Sequence, residues 1–292
     1  MPTRRKFLKA AFFFITGGIF ADAFWFEKFF IETKEFYFED ASQEKTNLKL
    51  VQISDLHLQK TSYPMRQLAK KINSLRPDLI LITGDAIDKA RNINLLADFL
   101  NLIDKDIKKV AILGNWEYWG AVDLTALNII YKKNNTELLI NRSVKYLFRN
   151  TSISITGVDD FLGGNADINA ALENHSESDY HIILNHCPQY SDRISETLSQ
   201  PARKNINVNF ILSGHTHGGQ INFFGFAPFL PPGSGKYVSG WYNAVVGNQL
   251  SVVSQYLQST FGKPVMYVSK GIGTSIFPVR FGARAEIAIF NL

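Results

Sequence analysis

Five short polar segments of this 292-residue chain carry side chains able to hold divalent cations. They are Asp55-Leu56-His57, Gly84-Asp85-Ala86-Ile87-Asp88, Gly114-Asn115-Trp116-Glu117, Asn185-His186 and Gly214-His215-Thr216-His217-Gly218-Gly219-Gln220. Carboxylate, imidazole and amide oxygen are donors suited to Mn, Fe, Zn or Mg. Each segment follows an apolar run of strand length. Asp55, Asp85 and Asn115 are spaced 30 residues apart. That is about one β-α-β unit, so they belong side by side at the carboxyl edge of one sheet, where open α/β sheets bind ligands. One Gly-Asp turn is ordinary turn chemistry; three in phase are not. His215 and His217, two apart in an extended segment, point the same way, and the glycines around them let the backbone come close. A lone histidine is usually a core or surface group, but His57, His186, His215 and His217 all lie just past apolar strands.

The frame these residues need is visible in the hydropathy pattern. Strands are predicted at 48–54, 78–83 and 109–114, with helices at 64–76, 93–105 and near 122–133. Short apolar runs joined by amphipathic helices indicate parallel β-α-β units with buried strands. Further strands are predicted at 136–140, 144–148, 151–157, 180–185, 207–213, 264–269 and 284–291. No repeat or linker interrupts the chain after residue 45, which predicts one α/β domain over 47–292.

Composition is that of an ordinary globular protein, 46% hydrophobic and 20% charged, and one cysteine excludes an internal disulfide framework. The net charge of +5 is scattered, without the basic stripe of a nucleic-acid groove. Part of it sits in residues 3–9 (TRRKFLK), ahead of the apolar run 10–26. That layout is a signal or an anchor, and the paired Arg4-Arg5 resembles the twin-arginine export motif. Ala21-Asp22-Ala23 offers a cleavage site; an uncleaved run of 17 residues is near the lower limit for spanning. If it spans, the flanking cations hold the N-terminus in the cytoplasm and put the body outside. A helix packed on the body is the third reading. Residues 27–46, aromatic at first, are expected to be a juxtamembrane linker.

The blocks D-L-H, G-D-x-x-D, G-N-x-E, N-H and G-H-T-H-G-G-Q, in that order, resemble the calcineurin-like metallophosphoesterases from about residue 48 to the end. The terminal stretch 267–290 and the export-type N-terminus resemble the bacterial membrane-associated branch, which includes the YkuE-type exported phosphoesterases and the UDP-2,3-diacylglucosamine pyrophosphatases. The resemblance implies a four-layer α/β fold, two packed β-sheets flanked by helices, and two divalent metal ions, Mn favoured. By matching position, Asp55, His57 and His217 would hold one ion. Asn115, His186 and His215 would hold the other, and Asp85 would bridge them.

Asn115, Trp116 and Glu117 form the expected catalytic turn. Most relatives carry a histidine where this chain has Trp116, and that histidine is thought to protonate or stabilise the leaving group. Tryptophan donates a hydrogen bond but delivers no proton, forgoing a contribution of typically about 10²–10⁴-fold. The change favours a leaving group that departs as a stabilised anion, such as phosphate. Asp88 and Glu117 orient ligands or merely shape turns. Asn185, Gly218-Gly219 and Arg280 are candidate phosphate contacts, Arg280 equally a salt-bridge residue, whereas His175 and His181 read as structural. The aromatics of 221–262 (Phe223, Phe224, Phe226, Phe229, Tyr237, Trp241, Tyr242, Tyr256, Phe261) form an apolar wall beside the metals or a cap on the sheet edge.

The implied function is hydrolysis of a phosphate ester or pyrophosphate at the inner membrane, with a lipid precursor such as UDP-2,3-diacylglucosamine of the lipid A pathway as the candidate substrate. Twin-arginine export would put the domain on the outer side, against the cytoplasmic origin of such precursors; an inner-face anchor would not. The alternatives are an exported general phosphodiesterase or phosphatase, and a metal-binding pseudoenzyme that has lost its acid.

Overall fold

Residues 79–83 (LILIT) are buried along their whole length, and their alternation sorts them between two cores. Leu79 and Leu81 join a core between two sheets, while Ile80 and Ile82 face helices. A strand buried on both sides is the signature of a central parallel strand. The computed structural model describes residues 3–39, 48–60, 62–203, 205–243, 249, 256–258 and 264–292.

The strands are β1 (Glu32–Glu39), β2 (Lys49–Ile53), β3 (Leu79–Thr83), β4 (Lys108–Ile112), β5 (Thr136–Leu138), β6 (Arg142–Phe148) and β7 (Thr151–Gly157). They continue with β8 (Tyr180–Leu184), β9 (Phe210–Ser213), β10 (Gly240–Asn243), β11 (Tyr256–Gln258), β12 (Val265–Val268) and β13 (Glu286–Asn291). The helices are α1 (Arg4–Ala21), α2 (Glu27–Phe29), α3 (Tyr63–Leu75), α4 (Ile93–Asn101), α5 (Asn115–Trp119), α6 (Leu124–Lys133), α7 (Ile168–Leu172) and α8 (Ser191–Leu198). One sheet has the order β11-β1-β13-β2-β3-β4-β5, the other β10-β12-β9-β8-β7-β6. Both are mixed: β13 runs antiparallel to β2, β10 to β12 and β6 to β7.

The four expected layers are present. Helices α3, α4 and α6 cover the first sheet through Leu68, Ile72, Leu96, Phe99 and Leu127. Between the sheets, Leu50, Leu81 and Ile112 meet Ile155, Leu184 and Leu212. Helices α7 and α8 cover the second sheet through Ala171 and Ile194.

The linker expected at 27–46 is corrected over Glu32–Glu39, which forms β1 parallel to β13. Its charges hid it: Glu32 and Lys34 share a face with Phe36 and Phe38, Glu35 and Glu39 occupy the other, and Phe36 still packs edge-on to Trp241 and Tyr267. Residues 40–46 lie outside the described residues. The aromatic region 221–262 divides. Tyr237, Trp241 and Tyr242 are core, whereas Phe223, Phe224, Phe226 and Phe229 are exposed. Phe261 and the side chain of Tyr256 lie outside the described residues.

Candidate metal centre

All seven residues expected to hold metal stand just beyond strand ends. Asp55 and His57 follow β2, Asp85 follows β3 and Asn115 opens α5 after β4. His186 follows β8, and His215 and His217 follow β9. Parallel neighbours end at the same level, so β2-β3-β4 and β8-β9 present these residues from two sheet edges that converge. The backbone is strained there: Asp55, His57, Asp85, His215 and His217 have φ between 43° and 73°. Left-handed conformations cost about 1–3 kcal/mol each in residues other than glycine and cluster at functional sites. Gly84 serves a related end, since a Cβ there would lie 2.5 Å from His186 Nδ1.

The inward atoms are crowded. His57 Nε2 lies 3.0 Å from His217 Nε2, and His186 Nε2 lies 3.3 Å from both His215 Nδ1 and Asn115 Oδ1. Asp85 Oδ2 is 3.2 Å from His186 Nε2 and 3.8 Å from His57 Nε2, and Asp55 Oδ1 is 3.6 Å from His217 Nε2. Three rings have acceptors that fix their outward protons. His57 Nδ1–H donates to Asp88, His186 Nδ1–H to the Thr83 carbonyl at 2.7 Å, and His215 Nε2–H to the Pro232 carbonyl at 2.6 Å. Their inward nitrogens are thereby left with lone pairs that face carboxylates and one another, an arrangement that calls for positive charge between them. His217 differs, because its Nδ1 meets a donor, Arg280 Nη2, at 3.2 Å.

The ionisation tendencies agree. Burial disfavours charge on His57 and His186, yet Asp88 and Asp85 at the first, and Asp85 at the second, push both upward. Against burial, His186, His57 and His215 hold Asp85 down to about 2. Two groups able to share a cation are Asp55-His57-His217 and Asp55-Asp85-His186. Both hold only hard or borderline donors, and they fit divalent metal.

The surrounding residues hold this set in place. Asp88 orients His57, the carboxylate–imidazole arrangement found behind metal-binding histidines. Glu117, expected in the catalytic turn as a residue that orients ligands or shapes turns, holds the ligand-bearing turns instead of joining the crowded inward atoms. Its carboxylate accepts from the N–H groups of Asp85, Ala86, Ile87 and Gly114 at 2.6–3.2 Å, tying the β3 turn to the β4 turn. Burial and Asp85 push it up to about 7. The Trp116 backbone N–H donates to Asp85 Oδ1 at 2.9 Å, and the indole ring stands edge-on to His57.

Three expected phosphate contacts are corrected. Asn185 is buried and donates to the Cys187 carbonyl. The N–H groups of Gly218 and Gly219 are spent on Thr216. Arg280 is fully buried and donates to the carbonyls of Gly273 and Ala283 rather than forming a salt bridge. His181 is buried against Thr156 Oγ1 at the amino end of β8, with His175 stacked on it, far along the strand from His186. Cys187, not singled out by sequence, lies close to His186 and His215. Burial and Asp160 keep it a thiol, which donates to Asp160 at 3.3 Å.

Above the centre lies a cavity of about 620 Å³. Its floor is Asp85, Asn115, His215 and His217, and its walls include Trp116, Trp119, Ile221, Phe229, Leu230 and Phe277.

Known proteins resemble this chain in sequence. The model of the calcineurin-like phosphoesterase family matches residues 48–219. The chain is 29% identical over 304 residues to the uncharacterized metallophosphoesterase YkuE of Bacillus subtilis (strain 168), over 99% of this chain and 97% of that one. It is 30% identical over 258 residues to a transmembrane protein with metallophosphoesterase domain of Bos taurus, over 82% of this chain and 52% of that one. Among solved structures, the 5'-nucleotidase precursor from Thermus thermophilus is similar with a TM-score of 0.45 and 14% identity, over 77% of this chain and about half (49%) of that one. A dimetal phosphatase from Danio rerio has a TM-score of 0.43 and 9% identity, over 83% of this chain and 98% of that one. The family match covers more than half of the 292 residues, and the chain belongs to the calcineurin-like phosphoesterases, metal-dependent hydrolases of phosphoesters.

Proposed function

We propose that the protein hydrolyses a phosphate ester or pyrophosphate bond in an amphipathic, lipid-linked substrate at a bacterial membrane. One observation carries this reading: a metal-competent floor opens directly into a cavity with apolar walls. Asp55, His57 and His217 would hold one ion, Asn115, His186 and His215 the other, with Asp85 available to either; Mn is favoured. When bound, two such ions activate water and neutralise charge on the phosphoryl oxygens during in-line displacement.

The remaining work falls to the chain. Asp88 keeps the His57 proton on Nδ1, and Glu117 keeps Asp85 in its strained turn. Trp116 stands with its ring edge-on beside His57, and its backbone N–H anchors Asp85. It supplies no proton, so the leaving group departs as a stabilised anion, which favours pyrophosphate over simple alkyl phosphate. The apolar walls take the substrate's acyl portion. A UDP-linked diacylglucosamine has this chemistry.

The side of the membrane follows the N-terminus. Arg4 and Arg5 begin α1, and export through the twin-arginine machinery places the site on the outer face, where an exported phosphodiesterase is the fitting form. Retention of α1 as an inner-face anchor restores the cytoplasmic lipid precursor. A C-terminal fusion reporter active on one side only separates the two.

The chemical test compares metal-reconstituted protein on a pyrophosphate-linked lipid and on an alkyl phosphate monoester. Faster turnover of the pyrophosphate is expected. Faster alkyl-ester turnover overturns the leaving-group argument, and no turnover of any phosphoester favours the pseudoenzyme.

A further inference from the structure

The apolar cavity does not end at its walls. Its outer rim continues into side chains that cover nothing among the described residues. Phe224 is fully exposed, and Phe226, Phe229, Ile276 and Phe277 are each more than 60% exposed. Apolar surface of this extent, on loops rather than scattered singly, marks a surface that meets something.

Two tips carry these residues. The first is a tight hairpin in which Phe223 and Phe226 exchange both backbone hydrogen bonds, with Gly225 at φ 99°. The second is the turn around Ile276. Gln220 fastens the two together: its side chain donates to the Phe277 carbonyl at 2.8 Å and accepts from the Ser275 N–H at 3.0 Å.

The base of the N-terminal helix abuts this assembly. The Arg280 N–H donates to the Ala23 carbonyl at 3.0 Å, while the next residue, Phe281, donates to the Gln220 carbonyl at 2.9 Å. Glu27 accepts from the N–H groups of Ala283 and Ala285, through its carboxylate and its carbonyl respectively. One strip, 280–285, thus touches the helix base on one side and the Phe223–Phe226 hairpin on the other. Residues 4–26 form a helix 23 residues long, long and apolar enough to cross a membrane. At its base Phe24, Trp25 and Phe30 are exposed, and Arg284 lies 4.7 Å from the Phe26 ring centroid. Aromatic rings and a cation at a helix end are the pattern of a membrane–water interface.

We propose that the Phe223–Phe226 hairpin and the Ile276–Phe277 tip enter the same lipid leaflet that receives the base of the N-terminal helix, so that the cavity mouth opens at the lipid surface. The occupant is a bilayer leaflet rather than a protein, because the exposed tips are continuous with a segment whose length and composition suit lipid. Helix and tips make separate contacts with the leaflet, and together they fix the orientation of the mouth. A lipid-linked phosphoester then reaches the metal-competent floor with its acyl chains still in the leaflet. Only that last consequence rests on the function proposed above.

The test uses the full-length protein in vesicles of phosphatidylethanolamine and phosphatidylglycerol. Cys187 is fully buried, so an environment-sensitive fluorophore reacts with an introduced cysteine. Phe224→Cys places it on the hairpin. Leu147→Cys, exposed on β6 near its turn into β7, is the control. Expected are a blue shift and quenching at position 224 by lipids carrying nitroxide on their acyl chains, and neither at 147. Equal quenching at the two positions, or none at either, overturns the proposal. So does a blue shift without lipid that grows with protein concentration, the sign of self-association.

In a second measurement, Phe224→Glu should raise the apparent KM for diacylglycerol pyrophosphate embedded in vesicles by about tenfold or more. Turnover of a soluble aryl phosphodiester should be unchanged. Loss of both activities together, or of neither, counts against the proposal. Quenching at 224 in a protein inert on all phosphoesters keeps the docking surface and removes the catalytic reading, whereas hydrolysis without quenching does the reverse.

Discussion

The floor and the wall of the cavity differ in nearly every physical respect. On the floor, Asp85, Asn115, His215 and His217 are almost wholly buried, and Asp85 is bound into a network through Trp116 and Glu117. Along the wall and rim, the side chains of Phe229, Ile276 and Phe277 are exposed and contribute apolar surface. Fixed polar groups set which bond is broken; an apolar wall sets which molecule is held. The difference teaches that reaction and substrate preference are separable here. Mutations on the floor should act on kcat for every substrate, and mutations on the wall on KM for amphipathic ones.

The largest expected effect is on the floor. Asp85→Ala should lower hydrolysis of an aryl phosphodiester by roughly 10³-fold or more, since it removes the carboxylate proposed to serve both ions. Metal analysis of the purified variant would show the accompanying loss of metal, and a variant that keeps full activity breaks the floor account. Next is Trp116→His, at the seam of floor and wall. Restoring a proton donor should raise turnover of an alkyl phosphate by up to about 10²-fold and leave an aryl ester nearly unchanged. An equal change in both, in parallel kcat measurements, would show that Trp116 acts through packing alone.

Asp88→Asn tests the support behind the floor. Weakening the partner of His57 Nδ1 should cost about 10–100-fold in metal affinity, read by chelator competition, while the wall-dependent ratio of KM values stays fixed. The smallest effect lies outside the cavity. Burial and then His175 hold His181 down to about 3. Because the unfolded chain binds this proton below about pH 6.5 and the native chain does not until near pH 3, stability conferred by neutral His181 is full above pH 6.5 and is lost as pH falls. Relative to the wild type, His181→Gln should flatten the decline in stability between pH 7 and 5 by about 2 kcal/mol, measured by denaturant unfolding. Activity per folded molecule should not change.

How much was legible in the sequence follows the same division. The floor could be read because its residues obey strong local rules: each sits at the end of a buried strand, and β2, β3 and β4 repeat with the period of a β-α-β unit. Helices α3, α4 and α6 emerged from their apolar periodicity for the same reason. The wall obeys no period. Ile221, Phe229 and Phe277 line one cavity because Gln220 fastens its loop to the turn at 275–277, a contact between residues tens of positions apart that no local pattern encodes. Strand β1 was missed because four charges along its eight residues outweigh Phe36 and Phe38 in any local reading, although the core it joins decides its conformation. Glu117 was placed correctly beside the site, but its orientation toward four backbone donors depends on how α5 leaves β4. Arg280 shows the converse, a cation near phosphate chemistry in sequence that the fold buries as a strut.

The central claim, that this floor is a dinuclear metal centre, is tested most directly by counting metal. The full-length protein, stripped with a chelator and titrated with Mn²⁺ under calorimetry and elemental analysis, should take up two ions per chain, with aryl phosphodiester hydrolysis rising as they bind. Uptake of fewer than two ions, or hydrolysis that survives complete removal of metal, would contradict it.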